Sequence, residues 1–211
     1  MSLDFEKFIE QNCLMLIRIE LNDLPGKLEK LVDKSYEFST TEYNSLKKEQ
    51  KDFYERLKKK PDISGVDENG NPFSYNEYLE SNAEDYFMEQ GSVIETYTTA
   101  MHSMLINFMY ETYTNLKKHI GDSLKSIKKE TASLNRIFDD VYKTSGIEKV
   151  NLINNCIKHT DCTVSKELSD NYPDEFVKDK KIELNEEMTY ELLKITQSAL
   201  RLVEKKFNKY Y

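Results

Sequence analysis

The sequence predicts an all-α protein, a helical bundle with a helical N-terminal extension, and three observations lead there. Apolar residues recur at three- and four-residue steps along most of the chain, which is the spacing of one helix face and not the alternation of a strand. Only six Gly and four Pro interrupt the 211 residues, so long elements are allowed. Charged residues make up 32% and hydrophobic residues 38%, a balance suited to helices with broad solvated faces. The length fits one core domain with an elaboration. Residues 1–90 are expected to form a helical extension that packs on or projects from the bundle, and residues 91–211 the bundle itself.

Taken in order, Phe5, Phe8, Ile9, Leu16, Ile17 and Leu21 predict a first amphipathic helix from Leu3 to Leu21. Asn22 or Asp23 then offers an N-cap, Pro25 suits a new first turn, and Leu24, Leu28, Leu31 and Val32 carry a second helix. Ser39-Thr40-Thr41 marks another break. Leu46, Phe53, Tyr54 and Leu57 define a third, charged helix ending in Lys58-Lys59-Lys60, cations that complement the negative end of the helix dipole. Asp67-Glu68-Asn69-Gly70-Asn71-Pro72 is a turn, either the tip of a small hairpin or a plain loop. Ser74-Tyr75-Asn76-Glu77 reads as a capping box that opens a helical stretch to Ile120, interrupted at Gln90-Gly91-Ser92. Gly121 closes that stretch, and Leu124, Ile127, Leu134, Ile137, Phe138 and Val141 line the next helix, which ends at Gly146. Ile147 to His159 form a further helix and residues 161–181 a loop around Pro173. Asn185-Glu186-Glu187 starts a last helix with Leu192, Leu193, Ile195, Leu200 and Val203 in the core.

No stretch approaches the roughly 20 apolar residues of a membrane span, and Asp4 and Glu6 stand where a signal peptide would be basic. The expected location is the cytoplasm, with no membrane partner. Cys13, Cys156 and Cys162 are then read as reduced thiols and not as a disulfide framework. A net charge of -8 weighs against broad electrostatic binding of nucleic acid, but the charge is unevenly placed. Between Pro61 and Leu116 ten acids occur with no Lys or Arg, whereas Lys117 to His159 hold nine bases against five acids. The acidic 61–116 region also carries an aromatic run that includes Tyr75, Tyr78, Tyr86 and Tyr97. It is either a solvated face or a docking surface, for a basic protein partner or for the chain's own Lys-rich region in a dimer.

The strongest chemical constellation is Asn154-Asn155-Cys156-Ile157-Lys158-His159, within the basic half. On a helix Asn155 and His159 stand one turn apart, as do Asn154 and Lys158 beside them. A histidine near a phosphodiester can act as general acid or base because its pKa lies near neutrality, and a cation would stabilise the charge that develops. His159 is thus the proton-transfer candidate and Asn155 its orienting amide. Asn154, Lys158 and, from the preceding helix, Arg136 are the substrate-binding candidates. The plainer reading gives the asparagines to helix termination and His159 to a carbonyl of the following loop. Cys156-x-x-His159-x-x-Cys162 offers three zinc-type ligands where a structural site takes four, so neither metal nor cofactor is expected.

This run, continued by Thr160-Asp161-Cys162-Thr163-Val164-Ser165, resembles the signature region of HEPN-like domains. There an arginine, a polar residue that is often Asn, and a later histidine sit near the end of a late helix. More loosely the resemblance extends from Met101 to Lys205, with Glu111 as the acidic residue of a long preceding helix. It implies a helical bundle that binds RNA, or cleaves it as a metal-independent endoribonuclease, in phage defence or toxin–antitoxin pairs. It also implies a homodimer in which two copies of the motif face each other. His159 matches the family histidine and Asn155 the polar residue, while Asn154 stands where the family has arginine. That exchange replaces a bidentate cation with a neutral amide, so the protein implied is an RNA binder with weakened or lost ribonuclease activity. The other class of function open to the sequence is a noncatalytic helical interaction or regulatory module that uses the acidic region.

Overall fold

Helix α1 spans Leu3–Leu57 without a break in the computed structural model, which describes residues 3–66 and 69–211. The breaks expected at Asn22 to Pro25 and at Ser39 to Thr41 do not occur. One buried stripe, Leu14, Ile17, Leu21, Pro25, Leu28, Val32, Tyr36 and Ser39, passes through both positions at three- and four-residue steps. Proline inside a helix costs about 3 kcal/mol, because the carbonyl four residues back loses its donor. Burying each large apolar side chain of the stripe contributes roughly 2 kcal/mol, so packing outweighs the local signal.

Helix α2 spans Tyr75–Ser126, and Ser74 Oγ caps it by accepting from the Glu77 N–H at 3.1 Å. The interruption expected at Gln90 to Ser92 is absent. Gly121, expected to end the helix, lies buried inside it, packed near the Leu134 side chain. Termination comes later, where Lys128 adopts φ 60°. The Lys129 N–H donates to the Leu124 carbonyl at 2.9 Å and the Lys128 N–H to that of Lys125 at 3.0 Å, the paired bonds of a Schellman ending. Strands β1, Ser64–Val66, and β2, Pro72–Ser74, form an antiparallel hairpin between the two helices, with Ser64 opposite Ser74. Asp67 and Glu68 of its turn lie outside the described residues.

Four shorter helices follow: α3, Ala132–Thr144; α4, Ile147–His159; α5, Lys166–Asn171; and α6, Glu186–Tyr210. Ile127, expected on one helix with Leu134 and Val141, falls in the turn before α3. Helix α5 occupies a stretch expected to be a loop; Ser165 Oγ caps it by accepting from the Leu168 N–H at 3.2 Å. Asn185 Oδ1 caps α6 at the expected place, accepting from the Met188 N–H at 2.9 Å. No helix of the described residues is long and apolar enough to cross a membrane.

Packing divides the chain into Met1–Asp33 with Met101–Tyr211, and Lys34–Ala100. In the first of these units the first part of α1 runs antiparallel to α6. Arg18 Nε donates to Asn208 Oδ1 at 3.1 Å, Gln197 Nε2 to the Pro25 carbonyl at 3.0 Å, and Tyr190 Oη to Asp33 Oδ1 at 2.8 Å. Within this unit α3, α4 and α6 pack on one another around Phe138, Ile153 and Phe207. Of the apolar residues whose spacing predicts the first helix, Ile17 and Leu21 are buried, but Phe5, Phe8, Ile9 and Leu16 are exposed. Tyr113 donates its buried hydroxyl to the Phe138 carbonyl at 2.9 Å, and burial raises its pKa well above the usual phenol value. His102 is also buried, with Nδ1 3.0 Å from Thr189 Oγ1. That hydroxyl gives its proton to the Asn185 carbonyl, so Nδ1 carries the ring proton and donates. Burial lowers the His102 pKa, against the opposing charge of Glu186.

The second unit pairs the remainder of α1 with the start of α2 beside the hairpin. Its core is thin: Leu57, Ala83 and Phe87 are buried, and the Phe87 ring lies 6.1 Å from that of Phe53. Ser39 and Thr98 hydroxyls meet at 3.0 Å.

Candidate functional site

Helix α4 is packed by α3, α5 and α6, so its buried positions wrap around more than one face. Ile147, Val150, Ile153 and Cys156 are buried as the apolar period requires, and Asn154 is buried with them at 1% exposure. Only the last turns emerge, leaving Asn155, Lys158 and His159 exposed. Beyond Thr160 the chain turns sharply, with Asp161 at φ 50° and Cys162 at φ 59°. This left-handed corner is held by the Lys181 ammonium, which lies 2.6 Å from Asp161 Oδ2 and lowers that carboxyl's pKa by hydrogen bonding and charge.

The structure sorts the expected site residues into three fates. Asn155 and His159 stand one turn apart on the exposed edge, and their side chains make no hydrogen bond among the described residues. The loop-carbonyl bond that a purely structural His159 would make is thus not formed there. Lys158 sits beside them, but its Nζ lies 3.0 Å from Glu111 Oε1 of α2, so its charge is already countered. Asn154 points inside, and its Oδ1 has no hydrogen-bond partner among the described residues. Arg136 is exposed on α3, and no hydrogen bond or ion pair joins it to the α4 group among the described residues.

Chemically this edge offers one imidazole and one amide, and the cation beside them, Lys158, is paired with Glu111. The carbonyl end of α4 carries partial negative charge, which further disfavours an isolated anion there. Cys156 Sγ accepts from the Ser165 N–H at 3.4 Å. Among the described residues no group of three or more His, Cys, Asp or Glu side chains could hold a metal ion.

At the other end of α4 lies a polar group that the sequence reading passed over. Lys149 is buried, its Nζ 2.5 Å from Glu175 Oε2 and 2.7 Å from Glu191 Oε1, with the rings of Tyr172 and Phe176 at 5.6 and 5.8 Å. Burial alone pushes this ammonium's pKa down, but the bonds to Glu175 and Glu191 outweigh it and raise the pKa overall. The signal was present: Lys149, Leu152, Ile153 and Cys156 fall at helical steps on one face, and a lysine there must find partners.

No protein-family model, curated protein or solved structure matches the chain.

Proposed function

We propose that the chain is a HEPN-like helical protein that binds RNA through the exposed end of α4, with ribonuclease activity weakened or lost. The observation that supports this reading most is the Asn155–His159 pair, exposed one turn apart and unused by the described fold. An imidazole and an amide so placed can hydrogen-bond the base edges of a flexible strand. Weak catalysis follows from the missing cation: Asn154 is buried where the family arginine belongs, and Lys158 is held by Glu111. The cytoplasmic setting, the phage-defence or toxin–antitoxin role and a homodimer, whichever face carries it, belong to this proposal.

The test is fluorescence anisotropy on single-stranded RNA, with a parallel cleavage assay in EDTA. Wild-type protein should bind and cut little, and His159→Ala should lose about tenfold in affinity while its circular dichroism stays unchanged. Glu111→Gln should strengthen binding by freeing Lys158, with a steeper salt dependence. Absence of RNA binding by the wild type would sink the proposal.

A second reading rests on a different observation. In the Lys34–Ala100 unit, Tyr75, Tyr78, Tyr86, Val93 and Tyr97 are exposed among carboxylates with no Lys or Arg between Pro61 and Leu116. Aromatic anchors in an acidic rim suit a basic protein partner. In that case changing Glu80, Glu84 and Asp85 to Lys abolishes co-purification of the partner, and His159→Ala leaves it intact.

A further inference from the structure

Helix α1 carries two apolar stripes. Leu14, Ile17 and Leu21 are buried, while Phe5, Phe8, Ile9, Met15, Leu16 and Ile19 are between 41% and 63% exposed. At about 100° per residue the second set lies on the opposite side of the helix from the first, so formation of the core does not account for it. Six large side chains of roughly 200 Å² each, about half exposed, present on the order of 600 Å² of surface. That is the upper end of what a monomer normally leaves open, and it approaches the roughly 800 Å² per partner of a stable interface. Beside the stripe a groove of about 580 Å³ opens between α1 and α2, with Phe8, Cys13 and Leu16 on one side and His119 and Ser123 on the other. A second hollow of about 270 Å³ continues past Ile9 to Ile127 and Lys128.

We infer that a second copy of this chain seats on this face, α1 against α1, antiparallel about Asn12. Counted from Asn12, the exposed apolar residues fall at three, four and seven positions on either side. The pattern reads the same in both directions, as a two-fold axis through Asn12 requires of a self-complementary contact. Asn12 Nδ2 donates to the Phe8 carbonyl at 2.7 Å, which leaves one amide proton and Oδ1 to pair reciprocally with the same groups of the second copy. A single buried asparagine in an apolar helix seam sets register in this way. Most of the rim charge is paired within each copy: Glu6 with Lys128 at 3.5 Å and Glu10 with Lys129 at 2.7 Å, while Glu20 Oε2 lies 3.2 Å from His119 Nε2. Two copies can therefore approach here despite the net charge of -8, and the face gives little purchase to a strongly acidic or basic partner.

Light scattering on the full chain, from low to high micromolar concentration, tests this by following its mass from the one-chain value of 24.9 kDa toward twice that. Phe8→Glu and Leu16→Glu, at positions exposed in the single chain, should keep their circular dichroism and weaken association at least about tenfold, since each puts two carboxylates into the seam. Asn12→Leu should tighten it. In a Cys13→Ser background, mixed Phe5→Cys and Ile19→Cys chains should form a disulfide that Phe5→Cys alone does not; the reverse result overturns the antiparallel arrangement. A one-chain mass at every concentration overturns the inference, as does a one-chain protein that instead binds neutral lipid vesicles through this stripe. A two-chain mass that survives both Glu variants places the contact elsewhere, for example at the end of α4, and also overturns it. RNA binding measured on the same variants separates this result from the fate of the α4 proposal.

Discussion

The two ends of α4 treat buried polarity in opposite ways. At its start Lys149 is enclosed, yet every demand of its charge is met by Glu175, Glu191 and two aromatic rings. Five residues later Asn154 is buried still more completely, and its carbonyl oxygen finds no partner among the described residues. The very next residue, Asn155, and His159 one turn after it stand in solvent. A satisfied buried group ties elements together, here α4, α6 and the segment after α5. Groups that folding leaves unused are where recognition has room to act. The contrast separates what holds this helix in place from what it presents.

Breaking the satisfied end should give the largest effect. Lys149→Ala removes the ammonium and leaves two carboxylates 2.5 and 2.7 Å from an empty position. Breaking a fully buried pair costs about 3–5 kcal/mol. Glu175 and Glu191 keep about half their surface in water, so a loss of about 2–3 kcal/mol is expected in urea unfolding. Lys149→Met, which keeps the stem's packing, should cost less. A loss below about 0.5 kcal/mol for the alanine variant, the ordinary range of a surface change, would mean that the charge network does not anchor α4.

The opposite sign is expected at Asn154. Replacing an unsatisfied buried amide with Leu, of similar size, removes a desolvation penalty of about 1–3 kcal/mol against some repacking cost. Asn154→Leu should therefore raise stability by about 1 kcal/mol in the same measurement. Destabilisation instead would show that the amide is hydrogen-bonded in solution, and would make the two ends of α4 alike.

Much of this division was readable in advance where the cause was local. Ser74 and Asn185 cap their helices because the capping oxygen and the N–H it accepts are three residues apart, and the Asn155–His159 edge follows from the helical period alone. Distant causes were not readable. Pro25 fails to end α1 because its position is buried in a continuous stripe, and Gly121 fails to end α2 because Leu134 packs against it. Lys158 looked like a free cation, but its partner Glu111 is 47 residues away on another helix. Asn154's burial depends on how many helices surround α4, which a single helix's pattern does not encode. The exposed stripe of α1 is apolar in the sequence too, but periodicity identifies an apolar face without saying what covers it.

The smallest expected effect on stability bears most directly on function. Asn155→Ala and His159→Ala remove side chains that make no hydrogen bond among the described residues, so each should change unfolding free energy by no more than about 0.5 kcal/mol. Alanine is also a better helix former than either residue by a few tenths of a kcal/mol, which makes a slight gain as acceptable as a slight loss. The same variants should lose about tenfold in RNA affinity, which equals about 1.4 kcal/mol of binding free energy. The contrast holds only if that loss appears without a matching loss of stability. A stability loss above about 1 kcal/mol would make Asn155 and His159 structural like Lys149, and would leave α4 with no polar group reserved for a ligand.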